Sequence, residues 1–211
     1  MDDIPVRQGT LFAKVFDSPV AHGKITRLDL SQAENLPGVI QIFTEKDIPG
    51  ENQIGGIIPD EPLLAEGEVH FQGQPIALVV AETEAIATEA VKKITVEIDP
   101  LPIITDPRIA AENGELFFPP RIFRIGDSQV VFVNCKYVFE GKAETNGQEH
   151  LYIETQGAYA YPVENEGIHI FSSTQGPTAV QRTAARVLGI SMNKIEVEVT
   201  RLGGGFGGKE S

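Results

Sequence analysis

An α+β fold in two domains is what this sequence predicts, on three observations. Short apolar runs, several of them alternating with polar residues, recur along the chain and read as strands. Two segments, Thr83 to Lys93 and Thr178 to Leu188, instead carry apolar residues at spacings of three and four, the period of a half-buried helix. Between residues 106 and 129 prolines and glycines break both periods, so the chain divides into a first domain over 1–105, a linker over 106–129 and a second domain over 130–211.

In the first domain, Thr10 to Phe16 and Lys24 to Leu30 are strands separated by Ser18-Pro19 and Gly23. Ser31-Gln-Ala-Glu34 has the spacing of a capping box and predicts a short helix stopped by Pro37-Gly38. Val39 to Phe43 is a further strand, and Thr44 to Pro49 a helical turn. Residues 50–62, rich in glycine, asparagine, proline and acids, form a surface loop. Ile76 to Ala81 is so evenly apolar that both its faces must be covered. The helix from Thr83 has its acids early and its lysines late, as the helix dipole favours. Ile94 to Ile98 returns as a strand, completing a β-α-β unit.

In the second domain, Val130 to Phe132 and Tyr137 to Ala143 read as strands, and Leu151 to Tyr161 pairs with Gly167 to Ser172 as a hairpin. Pro177 opens the second long helix and Gly189 closes it. Ile195, Val197 and Val199 alternate with polar residues in a strand that runs into Arg201-Leu-Gly-Gly-Gly-Phe-Gly-Gly-Lys-Glu-Ser211.

Composition excludes several functions. A net charge of −13 and a pI near 4.7 repel nucleic acid and anionic membranes alike. No apolar stretch reaches transmembrane length, and Met-Asp-Asp-Ile-Pro lacks the character of a signal peptide, so a cytoplasmic location is expected. Cys135, the lone cysteine, can form no intramolecular disulfide and no iron–sulfur cluster by itself, and is expected to be buried and inert. His22, His70, His150 and His169 lie far apart in the sequence and show no metal-site spacing, so no metal is expected to be held directly by side chains.

The terminal loop therefore carries the functional signal. Its glycines let a ligand approach the main chain and present backbone N–H groups to an anion. Gly203, Gly205 and Gly208 satisfy Gly-x-Gly-x-x-Gly, but no helix or distant acid follows. Gly203 to Gly208 with Lys209 is nearly a P-loop, yet Glu210 stands where a hydroxyl should bind magnesium. A nucleotide-binding module thus stays open as an alternative, as does a noncatalytic assembly role.

Read with its neighbours, the loop resembles a known family. Ser173-Thr174-Gln175, Arg186-Val-Leu-Gly-Ile190 and the loop itself are similar to the start of the molybdenum-cofactor domain of the xanthine dehydrogenase and aldehyde oxidase family. Gly147-Gln-Glu-His150 with Leu151-Tyr-Ile-Glu-Thr155 resembles the segment before that domain's helix. Gly9-Thr-Leu, Ser18-Pro-Val-Ala-His22, Leu36-Pro-Gly-Val39, Gly73-Gln-Pro75 and Asp99-Pro-Leu-Pro102 are similar to the a/b hammerhead domain preceding it.

The resemblance implies a molybdenum hydroxylase acting on a purine or related heterocycle, with water as oxygen source. It implies a molybdopterin-type cofactor that supplies its own metal ligands, with iron–sulfur clusters and FAD on other domains or subunits. The implied partners are these and the remainder of the molybdenum subunit. Gln175 is implied to hydrogen-bond the apical oxygen of the molybdenum centre. Gly205, Phe206 and Gly207 are implied to contact the cofactor through their backbone, and Glu210 to bind the substrate. The general base is implied to lie beyond Ser211, so the 211 residues alone are expected to be inactive, with the uncovered loop displaced. Plain readings stand beside these: Gln175 as a turn fastener, Phe206 as a core plug, Glu210 as a solvated carboxylate. Glu149 with His150 suits a structural pair better than acid–base work, and Arg201 and Lys209 are either solvated charges or contacts to an anionic cofactor tail.

Overall fold

A computed structural model describes residues 4–210. It forms two compact units, one built from the chain up to residue 103 together with the chain from 150 onward, the other from residues 104–149.

The first unit opens with two small sheets. Strands β1 (Phe12–Asp17) and β3 (Val39–Phe43) flank β5 (Pro75–Ala81), both antiparallel to it. Central β5 is apolar throughout because helices and strands cover it, and Ala77, Val79 and Ala81 are fully buried. Helix α1 (Ser31–Glu34) and helix α2 (Glu84–Val91) contribute Ala33 and Ala90 to the core around Ile42, Val79 and Ile94. Small residues at these contacts let the helices sit close to the sheet.

The other sheet has order β4 (Glu68–Val69), β2 (Gly23–Asp29), β6 (Thr95–Pro100), all antiparallel. Its core is Ala65, Val69 and Ile76. The predicted β-α-β unit is therefore corrected: β5 and β6 flank α2 in sequence but belong to different sheets. The capping box at Ser31 is also absent, since the Ser31 hydroxyl donates to Asp29 Oδ1 at 2.6 Å and Leu30 is the N-cap. A complete capping box stands instead at Thr44 and Asp47, around a 3-10 turn over Glu45–Asp47.

The same unit ends in a third sheet. β7 (Ala158–Val163) and β8 (Gly167–Ser172) form the predicted hairpin, although the strand begins at Ala158, not Leu151. Helix α5 (Pro177–Leu188) then crosses over to β9 (Ile195–Glu198), which pairs parallel with β8. Gly189 closes α5 at φ +65°, a left-handed cap suited to glycine. Two last-turn carbonyls of α5 are satisfied from the turn that follows Pro49: Gly50 N–H donates to Val187 at 2.9 Å and Glu51 N–H to Arg186 at 3.1 Å.

The second unit holds α3 (Pro107–Asn113) and α4 (Ser128–Asn134). The linker thus contains a helix, and Val130 to Phe132, read as a strand, is helical. The Asp127 carboxylate explains the difference by accepting the amides of Gln129 and Val130 at 3.1 and 3.2 Å, an N-cap that outweighs three β-branched valines. Tyr137 to Ala143 forms no strand. Cys135, expected inside, is exposed.

Candidate functional site

The parallel pairing of β8 and β9 sets the site. Parallel neighbours end at the same edge, so the segment after β8, carrying Ser173 to Gly176, emerges beside the glycine loop that follows β9. In α/β topologies with parallel strands that carboxyl edge is where ligands bind.

Gln175 ties the two segments together. Its backbone N–H donates to Lys209 O at 2.7 Å, and its side-chain Oε1 accepts the amides of Gly207 at 3.0 Å and Lys209 at 3.3 Å. Thr174 Oγ1 adds a donation to Lys209 O at 3.1 Å. Two backbone donors converging on Oε1 fix the orientation of the carboxamide, so Nε2 points away from them and makes no bond to a described residue.

The glycines are explained by what surrounds them. A Cβ on Gly205 would lie 2.3 Å from Gln175 Oε1, and one on Gly203 2.5 Å from Glu154 Cβ. One on Gly208 would come within 3.0 Å of the Tyr152 ring and 3.2 Å of the His150 ring. Close approach by neighbouring side chains is thus what excludes larger residues here. Phe206 has φ +49°, a left-handed conformation unusual for an aromatic residue, and its side chain is 72% exposed. It is no core plug: its ring is turned outward with its edge near Gly204, and the backbone amides of Gly205 and Phe206 bond no described residue. Backbone strain of this kind concentrates at functional loops.

The loop is not displaced. Gly203 N–H donates to Glu154 Oε2 at 2.8 Å, Gln156 Nε2 to Gly208 O at 2.9 Å, and Gly208 N–H to Gly205 O at 2.7 Å. Lys209 is 1% exposed, with Nζ donating to Glu154 O at 2.8 Å, 3.4 Å from the Glu154 carboxylate and 4.5 Å above the Tyr152 ring. A lysine occupied in this way reaches no anionic cofactor tail and cannot serve as a P-loop lysine, which corrects both readings. Arg201 and Glu210 are exposed; the backbone carbonyl of Glu210 lies beside Gly176. An open cavity of about 400 Å³ borders the start of the loop, lined by Glu154, Thr200, Arg201 and Gly203, not by Gln175 or Phe206.

Glu154, Gln156 and Tyr152 support the loop but were not singled out from sequence as site residues. The sequence signal for Tyr152 and Glu154 is their place in Leu151-Tyr-Ile-Glu-Thr155, with Gln156 directly after it, three strands upstream of what they hold. The reading of the histidines also changes: His22 and His70, distant in sequence, meet Glu68 in space.

The cradle suits an oxygen-bearing ligand brought with its own metal ligands. It offers a neutral amide donor at Gln175 Nε2 and two backbone N–H donors, and it adds no charge that would compete with a pterin dithiolene.

Comparison with known proteins agrees. Residues 1–102 match the family described as aldehyde oxidase and xanthine dehydrogenase, a/b hammerhead domain, and residues 113–211 match the molybdopterin cofactor-binding domain. The chain is 38% identical over 214 residues to xanthine dehydrogenase of Calliphora vicina and 40% identical over 215 residues to xanthine dehydrogenase 1 of Arabidopsis thaliana, all of it being covered in each case. It spans 16% of the length of either relative. Among solved structures, aldehyde oxidoreductase from Desulfovibrio gigas superposes with a TM-score of 0.85 at 29% identity, over 97% of this chain and 24% of that one. Quinoline 2-oxidoreductase from Pseudomonas putida 86 superposes at 0.82 and 30% identity, over 97% and 28%. A hammerhead domain followed by a molybdopterin cofactor-binding domain is the arrangement of a molybdenum oxidoreductase. The chain belongs to the xanthine dehydrogenase and aldehyde oxidase family, matching its hammerhead domain over 1–102 and its molybdopterin cofactor-binding domain over 113–211.

Proposed function

We propose that the whole protein is a xanthine dehydrogenase-like molybdenum hydroxylase, and that this chain supplies one wall of its cofactor pocket. The observation that carries the reading is the bond of Gly207 N–H to Gln175 Oε1, which locks carboxamide and glycine loop into one donor surface. When bound, the molybdopterin-type cofactor supplies the two-electron chemistry by which a heterocycle is hydroxylated with water as oxygen source. Gln175 would hold that centre by donating from Nε2, and Gly205, Phe206 and Gly207 would line it with backbone. The exposed Phe206 ring offers an apolar face to a planar substrate, and Glu210 hydrogen-bonds that substrate. Iron–sulfur and FAD domains or subunits accept the electrons. The chain from 1 to 105 acts as hammerhead domain, 106–129 as linker and 130–211 as the first part of the cofactor domain; by themselves these residues do not turn over.

No helix among the described residues is long and apolar enough to cross a membrane. Elemental analysis of the full protein should find molybdenum, and a panel of purines, aldehydes and N-heterocycles in ¹⁸O-labelled water should yield labelled product from a purine. A full protein without molybdenum, or product oxygen not drawn from water, overturns the reading.

A further inference from the structure

The edge of the β4–β2–β6 sheet carries a cluster that the cofactor pocket does not use. Gly23 pairs with Val69 and Lys24 with Glu68, so His22 and His70 face each other one step further along the antiparallel ladder. Their rings lie 5.9 Å apart, centroid to centroid. Glu68, two residues before His70, projects on the same side as the histidine, as alternation along a strand requires. One ligand atom from each of the three residues lies within 4.8 Å of the others.

Hydrogen bonding around the cluster points to a cation. His22 Nδ1 lies 2.8 Å from the carbonyl oxygen of Pro102, which can only accept, so Nδ1 carries the proton. Nε2 faces Glu68 Oε1 at 3.1 Å, a gap that a proton bridges when no metal is bound; once that proton is released Nε2 presents a lone pair. His70 Nδ1 lies 3.8 Å from the same oxygen. Two imidazoles thus turn toward one carboxylate oxygen, which a single proton can share with His22 alone while the half-exposed His70 meets water. A divalent cation serves all three.

The surroundings are built for it. An imidazole anchored through Nδ1 to a carbonyl is the outer-shell arrangement that orients a histidine ligand. The His70 backbone N–H donates at 2.7 Å to Oε1 of Gln74, which is 2% exposed, so the main chain that carries this ligand is pinned to the core. Tetrahedral zinc with nitrogen and oxygen ligands sets ligand atoms about 3.3 Å apart. The observed separations of 3.1 and 3.8 Å from Glu68 bracket that value, and side-chain rotation of the half-exposed His70 closes the third. Two histidines and one carboxylate, with outward positions left to water, suit a borderline divalent first-row cation.

We propose that His22, Glu68 and His70 form a metal site for a borderline divalent cation, zinc being the first candidate, on the hammerhead domain and separate from the molybdenum cofactor. Bound there, the ion ties the entry of β2, strand β4 and the Pro102 end of β6 into one clip.

The test is isothermal titration of zinc chloride into the full protein, tag-free and previously dialysed against a chelator, beside the variants His70→Ala, Glu68→Gln and Cys135→Ser. The wild type and C135S should bind one zinc equivalent, with a rise in thermal midpoint. H70A and E68Q should lose affinity at least about tenfold, the lower end of what even an outer-shell loss costs. Circular dichroism without metal establishes that the variants fold; His70 is exposed, and Glu68→Gln keeps the side-chain shape should H70A misfold. No zinc binding by the wild type, equal affinity in H70A and E68Q, or loss of binding in C135S overturns the proposal.

Discussion

Gln175 illustrates how much a single carboxamide decides. Its oxygen is committed to two loop amides, which determines where its nitrogen points. Gly205 is the counterpart, because only a missing Cβ permits that approach. Gly205→Ala should push the carboxamide away, destabilise the chain by about 1–3 kcal/mol as an overpacked contact does, and speed amide exchange at Gly207 and Lys209. Denaturant unfolding and hydrogen exchange read both effects; unchanged exchange at those amides contradicts the assigned contact. Lys209 acts as a strut: Lys209→Met removes a charged donor from Glu154 O and should cost about 1.5–3 kcal/mol, the range for a hydrogen bond to a charged group. Asp47 adds a pH-dependent contribution. The Thr44 amide and then its hydroxyl hold the Asp47 carboxyl below the usual range. A carboxyl depressed in the folded state stabilises above its unfolded value, and that stability is lost as pH falls through the folded one. Asp47→Asn should therefore flatten the acid side of the stability curve below about pH 4, as followed by thermal melts from neutral to acidic buffer.

At the scale of elements, the contact between α5 and the Pro49-Gly50 turn is the most exposed to test. A Cβ on Gly50 would lie 2.1 Å from Arg186 O, so Gly50→Ala should break both carbonyl caps at the end of α5 and lower the thermal midpoint. A midpoint equal to wild type contradicts the docking. Legibility in the sequence followed the range of the interaction. Helix α2 was readable because Thr83, its N-cap, and its apolar spacing lie within a few residues of one another. Helix α4 was not, because Val130, Val131 and Val133 favour a strand locally and a single Asp127 side chain decides otherwise. The sheet assignment of β5 and β6 was hidden, since strand order is settled by partners elsewhere in the chain. The cradle was half readable: its glycines announced close approach, but the side chains that approach, from Tyr152, Glu154 and Gln175, are fixed only by the parallel pairing of β8 and β9. The His22–Glu68–His70 cluster depends on the β2–β4 register, which no spacing encodes.

The whole molecule is marked by its contrast of surfaces. The unit over 104–149 leaves Phe117, Phe123 and Phe139 at 99%, 86% and 91% exposure, far from the scatter of single apolar residues usual on a monomer surface. The chain spans 16% of the length of its xanthine dehydrogenase relatives, and an exposed apolar surface of this kind marks a region of interaction. The 211 residues alone should enhance the fluorescence of a hydrophobic dye more than the full protein does, per mole of chain. The central claim concerns the molybdenum pocket, and turnover by the full protein carrying Gln175→Ala tests it most directly when molybdenum content is measured alongside. Loss of a single donor to the reacting centre predicts a kcat on a heterocyclic substrate lowered by about 10²–10³-fold with the metal retained; a variant that keeps wild-type kcat at equal molybdenum content contradicts the account.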